Sequence, residues 1–339
     1  MTKTSVSTLI LAAGLGTRMK STRAKVLHTV LFEPMIHHVV QTVNAAGFDN
    51  VFVIVGHQKE EVMAVLDDFQ VSFVVQKEQL GTGHAVLCAE SQLQAIGGTV
   101  MILNGDVPLI SRDSIEQMLA KHQDRGPALT VMTTLLEDPA NYGRILRNEQ
   151  GQLLAIVEEK DATGDQKKIK EINAGIYCAE VPFLFEALRK VGTDNSQGEV
   201  YLTDIVEIAI DMGRQVDIFS GTTAEEVLGV NSKSELAAAN KYLQARQNNK
   251  LMAEGVTLSD PETIFVQQGV RIGSDTLINP NVQITGQTFI GSNCTIGPDV
   301  ILHDCQIGDN AVISPFSNLS GCRIGESETV KPHTTLTKD

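Results

Sequence analysis

The chain has 339 residues and a formal net charge of −14, from 27 Lys and Arg against 41 Asp and Glu. A polyanionic partner would meet mostly repulsion, so this balance argues against a nucleic acid or an acidic membrane surface as the ligand. No apolar segment approaches the roughly 20 residues that span a bilayer, and the five Cys lack CxxC spacing, so we expect a soluble cytoplasmic protein with reduced thiols.

Up to about residue 230, short apolar runs alternate with helical patterns. Four of these runs end in Gly or polar residues: STLILAAG, NVFVIVGH, VSFVVQ and TVMILNGD. Near-continuous apolar strands are buried on both faces, which predicts a Rossmann-like α/β domain with a mostly parallel sheet. Ligands gather at the carboxyl ends of strands in such sheets. Gly14, His57, Gln76 and Asp106 all fall at these ends.

Residues 128–180 have a different pattern. Four β-rich runs, ALTVMTTLL, GRILRN, QLLAIVEEK and INAGIYCAE, are separated by short turns. We expect them to be added strands that frame a second substrate. A helix is then predicted from Ser232 to Glu254, because Ser232 and Glu235 fit a capping box and Gly255 fits a left-handed residue past the helix end.

Beyond about residue 265 the apolar period becomes six residues, with two steps of five. The recurring aliphatic residues are Ile272, Ile278, Ile284, Ile290, Ile296, Leu302, Ile307, Ile313, Leu319, Ile324, Val330 and Leu336. A Gly follows the aliphatic residue in IGSD, IGSN, IGPD, IGDN and IGES. Such hexapeptide repeats predict a parallel β-helix with about three repeats per turn and a core of stacked inward residues.

The opening stretch LAAGLGTRMKSTRAK, residues 11–25, places glycines and four cationic side chains after a predicted strand. It lacks the third glycine of a G-x-G-x-x-G dinucleotide fingerprint, and it lacks the G-x-x-x-x-G-K-[ST] spacing of a Walker A loop. A glycine turn after a strand still presents backbone N–H groups to an anion, and Arg18 and Lys25 add positive charge. We therefore predict a small, locally bound anion.

Further stretches follow in order: QLGTGHA (79–85), GDVPLI (105–110), YGRI (142–145), VEEKDAT (157–163), EINAGIY (171–177), YLTDIV (201–206) and GVNS (229–232). The pattern L-x-x-G-x-G-T-R-M followed by lysine resembles the signature of sugar-1-phosphate nucleotidyltransferases. With the later stretches, it resembles the uridylyltransferase half of the bacterial N-acetylglucosamine-1-phosphate uridyltransferases, the GlmU family. The resemblance covers essentially the whole chain. It implies a nucleotidyltransferase domain (1–231), a connecting helix (232–255) and a truncated left-handed β-helix (256–339).

The resemblance also implies roles for individual residues. The nucleotide-binding positions are Leu11, Ala12, Ala13, Gly14, Gly16, Gln76, Gly81 and Thr82, and the sugar-phosphate-binding positions are Asn104, Gly105, Gly143, Glu158, Asn173 and Thr203. Arg18 and Lys25 match catalytic residues that neutralise the triphosphate and the departing pyrophosphate. Asp106 and Asn231 match two ligands of Mg²⁺, which prefers hard oxygen donors. The Gln76 amide has both a donor and an acceptor for a pyrimidine edge.

The implied reaction forms UDP-N-acetylglucosamine and pyrophosphate from UTP and N-acetylglucosamine-1-phosphate, with Mg²⁺ as cofactor. The attacking phosphate oxygen is already anionic, so no protein nucleophile or general base is needed. Catalysis would consist of positioning and charge neutralisation. The product would serve cell-wall peptidoglycan synthesis and, in some bacteria, lipopolysaccharide synthesis.

The chain departs from the family pattern in three residues and in length. Leu15 occupies a position where lysine is common, Asn104 one where tyrosine is common, and Ala174 one where threonine is common. The family's acetyltransferase, which lies further along the β-helix, has no counterpart here, so we expect that activity to be absent. The family also implies a homotrimer assembled through the β-helix.

Two other functions fit parts of the sequence. One is a nucleotidyltransferase for another pair, such as glucose-1-phosphate with dTTP or UTP, although QLGTGHA and EINAG favour the N-acetyl sugar by resemblance. The other is a noncatalytic regulatory subunit, against which the intact Arg18, Lys25, Asp106 and Asn231 argue. An acyltransferase, suggested by the repeats alone, lacks its downstream site.

Overall fold

In the computed structural model, which describes residues 5–48, 50–221 and 223–337, the chain folds into two compact units. The first comprises the chain up to His28 together with Pro34–Glu235. The second comprises Thr29–Glu33 and the chain from Leu236 onward. Among the described residues, no helix combines the length and apolar character that a membrane crossing requires.

The first part of the chain carries eleven described strands. They are β1 (Val6–Ala12), β2 (Thr29–Val30), β3 (Glu33–Pro34), β4 (Asn50–Val55), β5 (Ser72–Val75), β6 (Thr99–Asn104), β7 (Leu129–Leu135), β8 (Arg144–Arg147), β9 (Leu153–Val157), β10 (Glu171–Glu180) and β11 (Val216–Phe219). All except β2 and β3 belong to one sheet, whose main order is β11-β7-β10-β6-β1-β4-β5. Of the strands in that order, β10 alone runs antiparallel to its neighbours. The prediction of a mostly parallel Rossmann-like sheet is confirmed.

The four runs predicted between residues 128 and 180 form β7 to β10. Strand β8 pairs antiparallel with both β9 and β10, which extends the sheet on one side. The pairing of β10 with β7 shifts register between Asn173 and Tyr177. Gly175 lies inside this irregularity with a φ of +71°, a conformation that glycine adopts without steric cost. The irregularity redirects β10 beside the site described below.

Helices cover both faces of the sheet. They are α1 (Met35–Ala45), α2 (Lys59–Val65), α3 (Thr82–Leu87), α4 (Glu90–Ile96), α5 (Arg112–Arg125), α6 (Val181–Leu188), α7 (Ile205–Asp211) and α8 (Ala224–Val227). In register, Leu9 of β1 lies between Phe52 and Ile102, and all three face the core under α3, α4, α6 and α7. The next residue, Ile10, faces the core under α1, α2 and α5. Burial on both faces explains why these strands are apolar at nearly every position.

The chain between the sheet and the repeats forms helix α9 (Lys233–Ala253). The Glu235 N–H donates to Ser232 Oγ at 3.2 Å, as the predicted capping box requires. Gly255 follows the helix with a φ of +94°. One half of the predicted capping box is therefore present, whereas Glu235 Oε2 accepts from the Asn231 N–H at 2.6 Å instead of from the Ser232 N–H, and the left-handed residue after the helix is as predicted.

The repeats form a parallel β-helix. Its short strands are β12 (Thr257–Leu258), β13 (Phe265–Val266), β14 (Arg271–Ile272), β15 (Leu277–Ile278), β16 (Gln283–Thr285), β17 (Phe289–Ile290), β18 (Thr295–Ile296), β19 (Ile301–His303), β20 (Gln306–Ile307), β21 (Val312–Ile313), β22 (Asn318–Ser320), β23 (Arg323–Ile324), β24 (Thr329–Val330) and β25 (Thr335–Thr337). Every third strand pairs in parallel, which gives three sheets. The predicted three repeats per turn are confirmed, and the first coil begins at β12, before the repeats become regular in sequence.

The predicted inward residues are buried, from Ile272 to Val330, whereas Leu336 in β25 is 44% exposed because no described coil covers it. The recurrence of glycine after the inward aliphatic residues has a steric cause. A Cβ at Gly273 would lie 2.6 Å from the backbone of Gly291 in the next coil, and one at Gly308 would lie 2.7 Å from the Glu326 nitrogen. Stacked corners therefore exclude a side chain at these positions.

Candidate active site

The carboxyl ends of four parallel strands form one edge of the sheet. Strands β1, β4, β5 and β6 end at Ala12, Val55, Val75 and Asn104. Their following residues are tied together by backbone hydrogen bonds, since the Gln76 N–H donates to the Val55 carbonyl at 2.8 Å and the Gly105 N–H donates to the Leu11 carbonyl at 2.9 Å. The expected crevice is therefore at this edge.

The loop after β1 directs its cationic residues towards this crevice. Residues Thr17–Met19 form a 3₁₀ turn, and the buried Met19 side chain anchors it. Gly16 has a φ of +63°, and a Cβ there would lie 2.6 Å from the Cβ of Lys25. The absence of a side chain at Gly16 therefore lets the chain bring Lys25 back against the loop.

Four side chains, Arg18, Lys25, Asp106 and Asn231, meet in what we call the charge cluster. Lys25 Nζ donates to Asp106 Oδ2 in a short ion pair and to Asn231 Oδ1 at 2.5 Å. Arg18 Nη2 donates to the same Asn231 oxygen at 2.7 Å. The side chains of Lys25 and Asp106 are only 15% and 19% exposed, so their charges are incompletely screened by water.

Hydrogen bonds that involve the backbone hold Asp106 and Asn231 in place. The Val230 N–H donates to the Asp106 carbonyl at 2.9 Å, which ties the loop of Asn231 to the loop after β6. The Asn231 N–H donates to Glu235 Oε2 at 2.6 Å, and Asn231 Nδ2 donates to the Gly229 carbonyl at 2.9 Å. The amide of Asn231 therefore presents its oxygen to the cluster.

The side-chain oxygens of Asp106 and Asn231 are of the type that binds a divalent cation. Asp106 and Asn231 offer a carboxylate and an amide oxygen to the Lys25 ammonium, which both of them contact. Within the described ranges, no group of three or more His, Cys, Asp and Glu is arranged to hold a metal. Two hard oxygen donors without a protein cage suit Mg²⁺, which keeps waters and binds substrate phosphates as well.

A cavity of 430 Å³ lies on one side of the charge cluster. All eight predicted nucleotide-binding residues line it: Leu11, Ala12, Ala13, Gly14, Gly16, Gln76, Gly81 and Thr82. Gln76 is 4% exposed, and its Nε2 lies 3.1 Å from the Gly81 carbonyl and 3.0 Å from His84 Nδ1. The Gln76 amide is therefore fixed at the cavity wall.

A second cavity, of 320 Å³, lies on the other side. Of the predicted sugar-phosphate residues, Asn104, Gly143, Glu158, Asn173 and Thr203 line it. Gly105 is outside the linings of both cavities, and a Cβ there would lie 2.8 Å from Ile36 Cδ1 and 3.1 Å from the Leu11 carbonyl. The two cavities share Arg18, Lys25, Asp106 and Asn231, so the charge cluster lies at their junction.

Polar side chains in the second cavity bind one another. Thr203 Oγ1 donates to Glu158 Oε1 at 3.1 Å, and burial raises the pKa of Glu158. Asn173 Nδ2 donates to Tyr177 Oη at 2.7 Å, while Asn173 Oδ1 accepts from the Gly175 N–H at 3.0 Å. The register shift in β10 therefore sets the orientation of the Asn173 amide.

Tyr142 is not among the predicted site residues, although it lies in the stretch YGRI that resembles the family. Tyr142 lines the second cavity, and its hydroxyl oxygen accepts from the Gly229 N–H at 3.2 Å. Burial raises the pKa of Tyr142 to about 12, so the hydroxyl is neutral at physiological pH. No residue pattern in the chain signals this contact, because Tyr142 and Gly229 are 87 positions apart.

The three departures from the family pattern lie at the cavities. Leu15 is 52% exposed and lines the first cavity. Asn104 lines both and donates from Nδ2 to the Gly175 carbonyl at 3.2 Å. Ala174 is 4% exposed and lines the second cavity.

Comparisons with known families match both parts of the chain. Residues 8–172 match the MobA-like NTP transferase domain, and residues 269–304 and 287–321 match the bacterial transferase hexapeptide (six repeats). The crystal structure of a UDP-glucose pyrophosphorylase complexed with UDP-glucose is similar in fold, with a TM-score of 0.59 at 20% identity, over 72% of this chain and 100% of that one.

Curated relatives are more similar in sequence. The bifunctional protein GlmU of Desulfotalea psychrophila is 48% identical over 299 residues, which cover 88% of each chain. The proteins of the same name from Geotalea uraniireducens and Halalkalibacterium halodurans are 46% and 45% identical over 89% and 88% of this chain. The alignments cover 66% of the length of each of these two relatives.

Proposed function

Because the chain belongs to the GlmU family of nucleotidyltransferases, we propose that it transfers a uridylyl group from UTP to N-acetylglucosamine-1-phosphate. The products would be UDP-N-acetylglucosamine and pyrophosphate. The observation that carries this proposal is the position of the charge cluster at the junction of two cavities. A transferase for two anionic substrates needs cationic and metal-binding groups at the point where they meet.

The 430 Å³ cavity would hold the nucleotide. The Gln76 amide would read the uracil edge, because it offers both a donor and an acceptor. Gly81 packs against the backbone of Val200: a Cβ at Gly81 would lie 2.5 Å from the Val200 carbonyl, and its φ is +108°. The loop from Ala12 to Gly16 would face the phosphates.

The 320 Å³ cavity would hold the sugar phosphate. Glu158 and Thr203 would form hydrogen bonds with sugar hydroxyls. Asn173 would reach the N-acetyl group or a neighbouring hydroxyl. Asn104 lies at the junction, where the phosphate of the sugar would face the nucleotide. These roles are assigned by resemblance and supported by the positions of the side chains.

The reaction would be an in-line displacement. An anionic oxygen of the sugar phosphate attacks the α-phosphorus of UTP, the bond to the β-phosphate oxygen breaks, and pyrophosphate leaves with that electron pair. Arg18 and Lys25 would neutralise the charge that develops on the phosphates. A bound Mg²⁺ would supply Lewis-acid neutralisation of the same phosphates, and Asp106 and Asn231 would hold it.

Assembly, location and the second activity remain separate proposals. We propose a homotrimer built through the β-helix, a cytoplasmic location and no acetyl transfer by residues 1–339. Analytical ultracentrifugation would test the first proposal. Incubation with glucosamine-1-phosphate and acetyl-CoA would test the last, since thiol release would contradict it.

Pyrophosphate release by the purified chain tests the main proposal. UTP with N-acetylglucosamine-1-phosphate and Mg²⁺ is compared with glucose-1-phosphate and with dTTP. We expect preferential turnover of the first pair. Preference for another pair would keep the nucleotidyl transfer and change the substrate, whereas no turnover of any pair would overturn the proposal in favour of a noncatalytic subunit.

A further inference from the structure

The Lys25 ammonium contacts both oxygens that are proposed to bind the metal. Its Nζ donates to Asp106 Oδ2 and to Asn231 Oδ1, the latter at 2.5 Å. It therefore occupies the space between a carboxylate and an amide oxygen that a cation would take. The Lys25 side chain is largely buried, so water has little access to this space.

Electrostatics oppose the simultaneous presence of a second cation there. Arg18 donates to the same Asn231 oxygen as Lys25, so two positive side chains already meet at this amide and one of them also pairs with Asp106. A divalent ion held by the same two oxygens would lie within a few ångströms of the ammonium, and repulsion at that distance is strong in a partly buried site. The ammonium and the metal are therefore competitors for one position.

The Lys25 side chain has the mobility that such competition requires. Its Cβ packs against Gly16, which fixes the root of the side chain. Beyond Cβ, three flexible carbons lead to a compact charge at the tip. Both cavities open onto this side chain, so the tip can turn from the two oxygens towards a phosphate without movement of the backbone.

We propose that Lys25 is an exchangeable placeholder: its ammonium fills the cation position in the ligand-free protein, and metal binding displaces it towards the substrate phosphates. This proposal rests on the proposed function, because it takes Asp106 and Asn231 as the metal ligands. It predicts that Lys25 weakens metal binding to the free protein while contributing positive charge in the presence of substrate. A lysine that only neutralised phosphate would weaken metal binding less, because it would not compete for the two oxygens.

Direct metal binding without nucleotide provides the test. Mn²⁺ is titrated calorimetrically into the full chain and into Lys25→Met, with Lys20→Met as the control. Lys20 is exposed in the same loop, so its replacement removes one positive charge from that loop and leaves the contacts of Lys25 in place. We expect Lys25→Met to bind Mn²⁺ at least tenfold more tightly than the unaltered chain, and Lys20→Met to differ by less than threefold.

Equal or weaker Mn²⁺ binding by Lys25→Met would overturn the proposal. Circular dichroism checks that the variant is folded, and Lys25→Gln provides a second neutral side chain if the methionine variant is not. Pyrophosphate release by the unaltered chain is measured in parallel. Turnover there without tighter metal binding by the variant refutes only the placeholder, whereas tighter binding without turnover refutes only the proposed function.

Discussion

Replacing Tyr142 by Phe would test whether the hydroxyl of this residue positions the loop that carries Asn231, a proposed metal ligand. The Tyr142 oxygen accepts from the Gly229 N–H at 3.2 Å, and the Gly229 carbonyl accepts from the Asn231 side chain at 2.9 Å. The substitution keeps the aromatic ring in the cavity wall and removes one acceptor. The Gly229 N–H then loses its partner, two residues from a proposed metal ligand.

The magnitude follows from the cost of an unpaired polar group. A buried donor left without a partner costs about 1–3 kcal/mol. If the loop relaxes to satisfy it, the same free energy separates the relaxed arrangement from the one that binds the metal. Since about 1.4 kcal/mol is a factor of ten, the Mg²⁺ concentration for half-maximal activity should rise roughly 5- to 150-fold.

The assay measures pyrophosphate release from UTP and N-acetylglucosamine-1-phosphate as a function of Mg²⁺ concentration. We expect Tyr142→Phe to regain turnover within threefold of the unaltered chain at saturating Mg²⁺, because its other groups are intact. Tyr242→Phe, on α9 in the other unit, serves as the matched control. An unchanged Mg²⁺ dependence in Tyr142→Phe, or a loss of turnover that Mg²⁺ does not restore, would refute the positioning role.

Other substitutions should have distinct effects. Asp106→Ala should stay folded but lose about three powers of ten in turnover. The substitution removes an electrostatic contact with a cation that is worth about 4 kcal/mol at an effective dielectric of 20. Near-normal steady-state rates would exclude Asp106 from the site. Burial raises the pKa of the half-buried Asp204 to about 6, so the folded state binds more protons than the unfolded state between about pH 4 and 6 and stability falls as the pH rises. Asp204→Asn should therefore raise the free energy of unfolding at pH 7.5 by about 1 kcal/mol after allowance for solvent screening, with the gain disappearing near pH 4; a gain that persists at pH 4 in urea titrations would count against this. In the β-helix, a Cβ at Gly291 would lie 2.7 Å from the Asp309 nitrogen, so Gly291→Ala should lower the melting temperature by several degrees, whereas Gly164→Ala, in open space, should change it little; equal melting temperatures would show that the coils relax freely.

Regular patterns made most of the fold predictable. Strands β1, β4, β5 and β6 are apolar at nearly every position because both faces are covered, and this pattern also located the edge where Gln76 and Asp106 lie. The six-residue period predicted the β-helix because each coil buries one aliphatic residue per face. Hydrophobic periodicity does not indicate the direction of a strand. Nothing in the run INAGIYCAE marks β10 as the strand that runs antiparallel between β6 and β7.

Most of the residues that line the two cavities could be predicted from the sequence, whereas their mutual contacts could not. Resemblance named Lys25, Asp106 and Asn231 as separate binding residues. Their direct contact depends on the Gly16 turn, on the bond between Val230 and the Asp106 carbonyl and on side-chain rotamers, none of which leaves a local pattern. The same holds for Tyr142, whose partner is distant in the chain.

The residues that line the two cavities and the segment that follows Lys25 are assigned to different units of the chain. Every residue that lines the two cavities belongs to the first unit, so the β-helix contributes none of the described lining. The segment Thr29–Glu33 nevertheless belongs to the second unit: Val30 and Leu31 are 0% and 1% exposed, and the Leu31 N–H donates to Asn240 Oδ1 at 2.7 Å. A chain cut after Glu235 would keep the whole lining but leave these apolar residues without their partners, only a few positions from Lys25. Helix α9 therefore supplies a partner to a segment that follows Lys25 by a few positions, although no residue of this helix lines either cavity.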